Sequence, residues 1–140
     1  RPNVSMIPTT GGHTYTTATF RVWNNNAVSG ETAFENIIGV SDEQQEIDGW
    51  TKASNNTDPG NVRITPGLGI DSTSVNSGSM HGDHATRGVI KALFMKYRGF
   101  LAVGYHIIYT LEYSQATGTT TWDAQETPDN IFGFNMDFNG

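Results

Sequence analysis

The sequence predicts an all-β protein, an antiparallel β-sandwich of jelly-roll type. Three observations point there. Thr, Asn, Ser and Gly supply 18, 12, 9 and 16 of the 140 residues, a composition of strands and turns rather than helices. Several segments alternate apolar and polar residues with period two, as a strand with one covered face does. Gly, Asn, Asp and Pro separate those segments, and short strands spaced by turns make a sandwich or barrel. One domain is expected over residues 14–140. Residues 1–13 read as a linker from an upstream segment, because the chain opens Arg1-Pro2 and ends this stretch in Thr9-Thr10-Gly11-Gly12.

The elements follow in order. Thr14 to Trp23 alternates, with Ala18, Phe20 and Val22 on one face, and Asn24-Asn25-Asn26 ends it. Ala33 to Val40 is a strand or a short helix; the run is too short for periodicity to decide. Ser41 to Pro59 is polar and reads as turns, with Val62 and Ile64 in a short strand after it. Asp71 to Thr86 is expected to be a long loop. Val89 to Arg98 is apolar on both faces and is expected to be covered on both.

Phe100 to Tyr113 carries the clearest pattern. Leu101, Val103, Tyr105, Ile107, Tyr109, Leu111 and Tyr113 form an unbroken apolar face, with His106, Thr110 and Glu112 opposite. A turn at Ser114 to Thr119 and a short strand to Asp123 make residues 100–123 a predicted hairpin. Ile131 to Phe138 is the last strand, with Phe132, Phe134, Met136 and Phe138 on one face. That face suits either the inside of the sandwich or a trimer interface near a symmetry axis.

Charge and composition exclude several functions. A net charge of −6 repels phosphate backbones, so nucleic acid is not an expected partner. No apolar run is long enough for a membrane-spanning helix. The absence of cysteine removes disulfides, zinc thiolates and a Cys nucleophile. No Gly-x-Ser-x-Gly elbow, P-loop or His-Glu-x-x-His is present. No catalytic residue, metal or cofactor is assigned. Met80-His81-Gly82-Asp83-His84 offers possible metal ligands, but a loop does not set their directions and no further ligand is evident nearby, so an exposed polar loop is the favoured reading. Glu31, Glu35, Asp42, Glu43, Glu46 and Asp48 cluster in one segment, which reads as solvated surface rather than a glycosidase pair. Arg87, Lys91, Lys96 and Arg98 make a basic stretch, favoured as a solvated strand edge, the alternatives being a partner for the acidic segment of a neighbouring subunit or a contact for an anionic receptor.

Binding candidates come from the tryptophans. Trp50 stands beside Asp48 and Gly49 and is followed by Asn55 and Asn56; Trp122 is next to Asp123. An exposed indole stacks on the apolar face of a sugar, and Asn or Asp bonds its hydroxyls. Trp50, Asn55, Asn56, Trp122 and Asp123 are therefore the expected ligand-binding residues, the alternative being indoles that cap the core edge.

The second half has a further pattern. Gly104-Tyr105-His106 opens the apolar strand and Leu111-Glu112-Tyr113-Ser114 ends it. Ala116-Thr117-Gly118-Thr119-Thr120-Thr121-Trp122 turns the chain, and Ile131 to Phe138 closes it. Over about residues 88–140 this layout resembles the C-terminal receptor-binding heads of phage tail fibres and other viral attachment fibres. It is also similar to the trimeric tumour-necrosis-factor-like jelly rolls. The resemblance implies a non-enzymatic homotrimer at an extracellular fibre tip of a virion, attaching to a host-surface receptor, a glycan in particular. Two other readings stand beside it: a jelly-roll capsid or decoration subunit, and a carbohydrate-binding module of a secreted enzyme.

Overall fold

Two antiparallel sheets face each other across one core. The structure, a computed structural model, describes residues 3–6, 12–25, 32–57, 62–81, 83–85, 87–123 and 133–138. In chain order the strands are β1 (Asn3–Met6), β2 (His13–Thr14), β3 (Arg21–Val22), β4 (Ala33–Ile38), β5 (Gln44–Asn55) and β6 (Val62–Ile70). They continue as β7 (Ser79–His81), β8 (Asp83–Ala85), β9 (Lys91–Phe100), β10 (Gly104–Ser114), β11 (Thr120–Asp123) and β12 (Gly133–Phe138). Among the described residues the helical geometry is a short 3-10 turn, Trp23–Asn25.

In the first sheet β5 is central. It pairs with β9 along one edge, and with β12 and β11 end to end along the other. β7 extends the sheet beyond β9, β1 beyond β12, and β2 beyond β11. In the second sheet β10 is central, between β6 and the pair β3 and β4, with β8 outside β6. The sandwich class predicted from the sequence is therefore observed. Trp23, Ile47, Ala53, Ile64, Leu68, Leu93, Met95, Ile108 and Trp122 fill the space between the sheets.

Several elements differ from expectation. The segment from Ser41 to Pro59, read as turns, holds β5, a strand of 12 residues. Its buried positions are Gln45, Ile47, Gly49, Thr51, Ala53 and Asn55. Half of them are polar and one is glycine, so the alternation is real in burial but hidden in hydrophobicity. The expected strand from Thr14 to Trp23 is instead two short strands in different sheets, β2 on β11 and β3 on β10, with a crossing segment between. Residues 3–6, expected within a linker, pair with β12. The region from Asp71 to Thr86 contains β7 and β8, which belong to opposite sheets.

β10 faces the other way from its hydrophobic pattern. The buried face is Ile108, Thr110, Glu112 and Ser114, while Tyr105 lies exposed at 55% on the opposite side. The polar members of the buried face are all bonded. Thr110 Oγ1 donates to Thr32 O at 3.0 Å, and Ser114 Oγ lies 2.6 Å from Thr120 Oγ1. Glu112 accepts from His13, Arg21 and the Asn24 amide. The outer face is covered over its C-terminal half, where Phe20 packs on Tyr113 with ring centroids 5.2 Å apart. The segment after β6 folds back there as well: a Cβ on Gly69 would stand 1.9 Å from Ser72 O, so only glycine fits.

The hairpin predicted over residues 100–123 is also corrected. β11 pairs with β5 and β2 rather than with β10, so the turn at 115–119 carries the chain from one sheet to the other. β9 has its Leu93 and Met95 face in the core, but Phe94 on the other face is 55% exposed rather than covered. In the register of β12, Phe134, Met136 and Phe138 stand beside Gly49, Ile47 and Gln45, the buried set of β5. Phe132 lies outside the described residues.

Candidate functional site

The alternation of β5 decides what the first sheet shows to solvent. Its odd residues go to the core, so Glu46, Asp48, Trp50, Lys52 and Ser54 line the outer face. Register then fixes their neighbours. Trp50 stands between Phe94 on β9 and Gly133 on β12. Facing side chains on adjacent strands have Cβ atoms about 5 Å apart. Trp50, half-buried, and the exposed Phe94 therefore form one apolar platform, and the glycine at position 133 adds no side chain on the far flank.

Polar rows lie on both sides of the platform. On one side Lys52 sits opposite Asp123, and its Nζ is 5.9 Å from the Trp50 ring centroid. Burial pushes the Asp123 carboxyl up, and the Lys52 charge works against that rise. On the other side Lys96 Nζ reaches Glu46 at 2.5 Å and Asp48 at 3.2 Å, while Arg98 reaches Glu46 at 2.7 Å. The hydrogen bonds from Arg98 and Lys96 hold the Glu46 carboxyl down at about 2.

Beyond Lys52 the strip ends in a pocket of about 220 Å³, lined by Ser54, Asn55, Asn56, Arg87, Thr119 and Thr121. Asn55 builds its wall. Its Nδ2 donates to Thr117 O at 3.1 Å and Thr120 Oγ1 at 2.8 Å, and its Oδ1 accepts from Thr57 N at 2.8 Å. Asn56 Oδ1 accepts from Thr119 N at 2.7 Å, and Asn56 N donates to Thr119 O at 3.1 Å. Gly88 N closes the other side on Asn55 O at 3.1 Å. Gly118, at φ +66°, is the tip that lets the turn sit so close: a Cβ there would come within 1.8 Å of Thr57 Oγ1.

The structure thus brings Trp50, Asn56 and Asp123 to one region of the first sheet, with Asn55, buried on the core side of β5, as scaffold beneath the pocket. It separates Trp122 from them. That indole is fully buried and meets Trp23 edge-on at 5.1 Å, so it offers no open face to a sugar. Trp50 lies on a sheet face rather than in the expected loop. Phe94, Lys52, Ser54, Arg87, Thr119 and Thr121 join the site without having been predicted. Recognising β5 as a strand would have found Lys52 and Ser54; Phe94 and Arg87 needed the pairing of β5 with the segment before and within β9.

Two other polar clusters are built into the fold. Glu112, fully buried, accepts from His13 Nε2 at 2.5 Å, Arg21 Nε at 2.7 Å and Asn24 N at 3.2 Å. It ties β2 of one sheet to β10 of the other. On the surface, Asp71 at φ 54° accepts from Ile107 N at 2.8 Å and from His106 Nδ1 at 2.7 Å. His81 and His84 fall in β7 and β8, on opposite sheets, and their side chains lie outside the described set. Among the described residues no three His, Asp or Glu side chains gather as a metal site would require. No helix among them is long and apolar enough to cross a membrane. No protein-family model and no curated protein matches the chain.

Proposed function

We propose that this β-sandwich binds a glycan on the outer face of its first sheet and serves as a non-enzymatic receptor-binding head, of the kind carried by phage and viral fibres. The Trp50–Phe94 platform carries the reading. An apolar platform framed by polar rows suits a sugar, whose ring has an apolar face and a hydroxyl rim. From Trp50 to Ser54 the strip runs about 13 Å, long enough for more than one sugar unit. Asp48 and Asp123 are separated by a similar length along β5, beyond the roughly 5–10 Å that a hydrolytic carboxyl pair uses. That pair does not bracket the platform at a hydrolytic spacing, and Glu46 and Asp48, which share Lys96, both lie on one side of it. The test is a glycan array probed with the folded protein and with Trp50→Ala and Phe94→Ala, scored alongside release of reducing sugar. Selective binding lost in both variants, without sugar release, is the expected result; unchanged binding in both variants refutes it.

The homotrimer belongs to the same proposal. Ile37 and Tyr105 are register partners on the outer face of the second sheet and are 76% and 55% exposed. Val103 and Val40, 63% and 51% exposed, lie next to these strands in the chain. Apolar surface of this kind supports association of copies, in a fibre head or in a capsid or decoration subunit. Light scattering decides it: three times 15.3 kDa is expected, and a monomer mass contradicts the trimer.

A further inference from the structure

We infer that His106 is a proton-operated latch at one end of the sandwich: its ring holds the connection between β9 and β10 only while both of its nitrogens carry protons. The latch sits where the two sheets are joined twice. Gln44 pairs with Phe100 in the first sheet, and Ile38 pairs with Gly104 in the second. Residues 39–43 and 101–103 therefore cross between the sheets side by side. Leu101 is buried and anchors the second crossing, while Val103 is exposed, two residues before Tyr105 and its register partner Ile37.

The geometry fixes the proton count. His106 Nδ1 lies 2.7 Å from Asp71 Oδ2, and Nε2 lies 2.8 Å from Ala102 O. An ionised carboxylate and a carbonyl only accept, so each nitrogen must donate, and a ring that donates twice is an imidazolium. Asp71 is tied down independently: its Oδ1 accepts from Ile107 N, and its own N donates to Ile107 O, both at 2.8 Å. Loss of a proton therefore releases the crossing and not the aspartate. The remaining N–H stays on Nδ1, where the acceptor is charged. Nε2 then turns a lone pair toward Ala102 O, and the two repel.

The other groups around the ring leave this assignment in place. Across β4 the register partner is Asn36, an amide. Glu35 lies on the outer face of β4 and is hydrogen-bonded to the Tyr105 hydroxyl. Asp42 and Glu43 are exposed on the neighbouring crossing. Tyr97 of β9 donates its hydroxyl to Phe100 O. Glu112 shares the inner face of β10 but lies about 20 Å farther along it.

Asp71→Asn separates a latch from simple loss of a contact. Asparagine tolerates the left-handed backbone found at Asp71, φ 54°, and its carbonyl can still accept from Ile107 N. Its NH2 would donate to Nδ1, so a neutral ring keeps its proton on Nε2 and goes on holding Ala102 O. His106→Gln does the reverse, because one amide cannot reach both acceptors.

The experiment follows 15N-labelled wild type, Asp71→Asn and His106→Gln between about pH 5.5 and 9. Imidazole nitrogen shifts report protonation, relaxation of the Ala102 and Val103 amides reports the crossing, and circular dichroism controls the fold. In the wild type the order parameters of those amides should fall from about 0.85 to below about 0.6, with the midpoint of the ring. They should stay high throughout in Asp71→Asn and low throughout in His106→Gln. Amides equally ordered across the range in the wild type overturn the inference. A pH response that persists in His106→Gln, or the wild-type response in Asp71→Asn, overturns it too. Sedimentation of the same samples tests the homotrimer reading separately. Val103 adjoins the face through which copies are proposed to meet, so release should weaken self-association about tenfold, a charge-assisted hydrogen bond's worth. A monomer at every pH overturns the homotrimer reading, while the latch stands or falls on the amides.

Discussion

Replacing Glu112 with glutamine should be far more damaging than its near-identical shape suggests. The carboxylate is fully buried and accepts from His13 Nε2, Arg21 Nε and Asn24 N at 2.5, 2.7 and 3.2 Å. Three donors converge on a group that only accepts. In Glu112→Gln one oxygen survives as an acceptor. Oε1 can still take Arg21 Nε and Asn24 N, and His13 can meet the new NH2 through its other tautomer, but Arg21 loses its counter-charge. Removing one partner of a buried pair costs about 3–5 kcal/mol. The Arg21 side chain keeps 30% of its surface, so water relieves part of the loss and the low end, about 3 kcal/mol, applies. At about 3–4 °C per kcal/mol for a domain of this size, Tm should fall by about 10 °C. Urea and thermal unfolding followed by circular dichroism measure both quantities. A companion variant, His13→Phe with Arg21→Met and Glu112→Leu, removes all the charges together. It should be less destabilised than Glu112→Gln, because no charge is left stranded. A loss below about 1 kcal/mol in Glu112→Gln would refute this account of the cluster. So would a triple variant worse than the single one.

Two pH predictions follow from the surface clusters. His106 offers Nδ1 to Asp71 Oδ2 and Nε2 to Ala102 O, so both nitrogens must carry protons and the ring is an imidazolium. The Asp71 hydrogen bond, then the Ala102 carbonyl, push its pKa above the usual 6.5, against the effect of burial. Burial pushes Asp71 up, but the Ile107 amide and His106 outweigh it and hold it below 3.8. The histidine's contribution is thus fully present below pH 6.5 and lost as pH rises through its raised value. The aspartate's is present above 3.8 and lost as pH falls through its lowered value. Unfolding free energy of the wild type minus that of His106→Gln should be largest between those limits; a difference flat from pH 4 to 9 refutes the bridge. In the ladder on the first sheet, an NMR titration should place the Glu46 carboxyl midpoint at about 2, and Arg98→Ala should return it toward the ordinary range. A midpoint unmoved by Arg98→Ala removes the guanidinium as the cause.

What the sequence revealed, and what it hid, follows from where hydrophobicity tracks burial. Leu93 and Met95 of β9 were legible because apolar residues at period two occupy the core face there. β5 was not, because the polar residues Gln45, Thr51 and Asn55 occupy core positions there, Asn55 held by its bonds to Thr117 O and Thr120 Oγ1. β10 misled more strongly. Its apolar residues Tyr105, Ile107, Tyr109, Leu111 and Tyr113 lie on the face away from the core because the opposite face buries Thr110, Glu112 and Ser114, with Thr110 and Glu112 satisfied by groups distant in sequence and Ser114 by Thr120. A period-two pattern identifies the strand but not which face is inward when long-range polar partners decide it. The site suffered from the same blindness. Trp50 stood out by residue type, whereas Phe94 and Arg87 come beside β5 only through pairing across 44 and 32 residues. Trp122 was misplaced because an aromatic next to Asp reads alike at a core edge and on a surface.

The proposed glycan surface is tested most directly by the protein's three indoles. Trp50 lies on the outer face, while Trp23 and Trp122 are fully buried against each other. A 15N-labelled sample is titrated with the glycan that the array selects, and the indole N–H signals are followed. The account predicts that the Trp50 signal moves together with the backbone amides of Lys52 and Thr121, while those of Trp23 and Trp122 stay in place. Shifts confined to the face of Ile37 and Tyr105, with Trp50 unmoved at saturation, would contradict it.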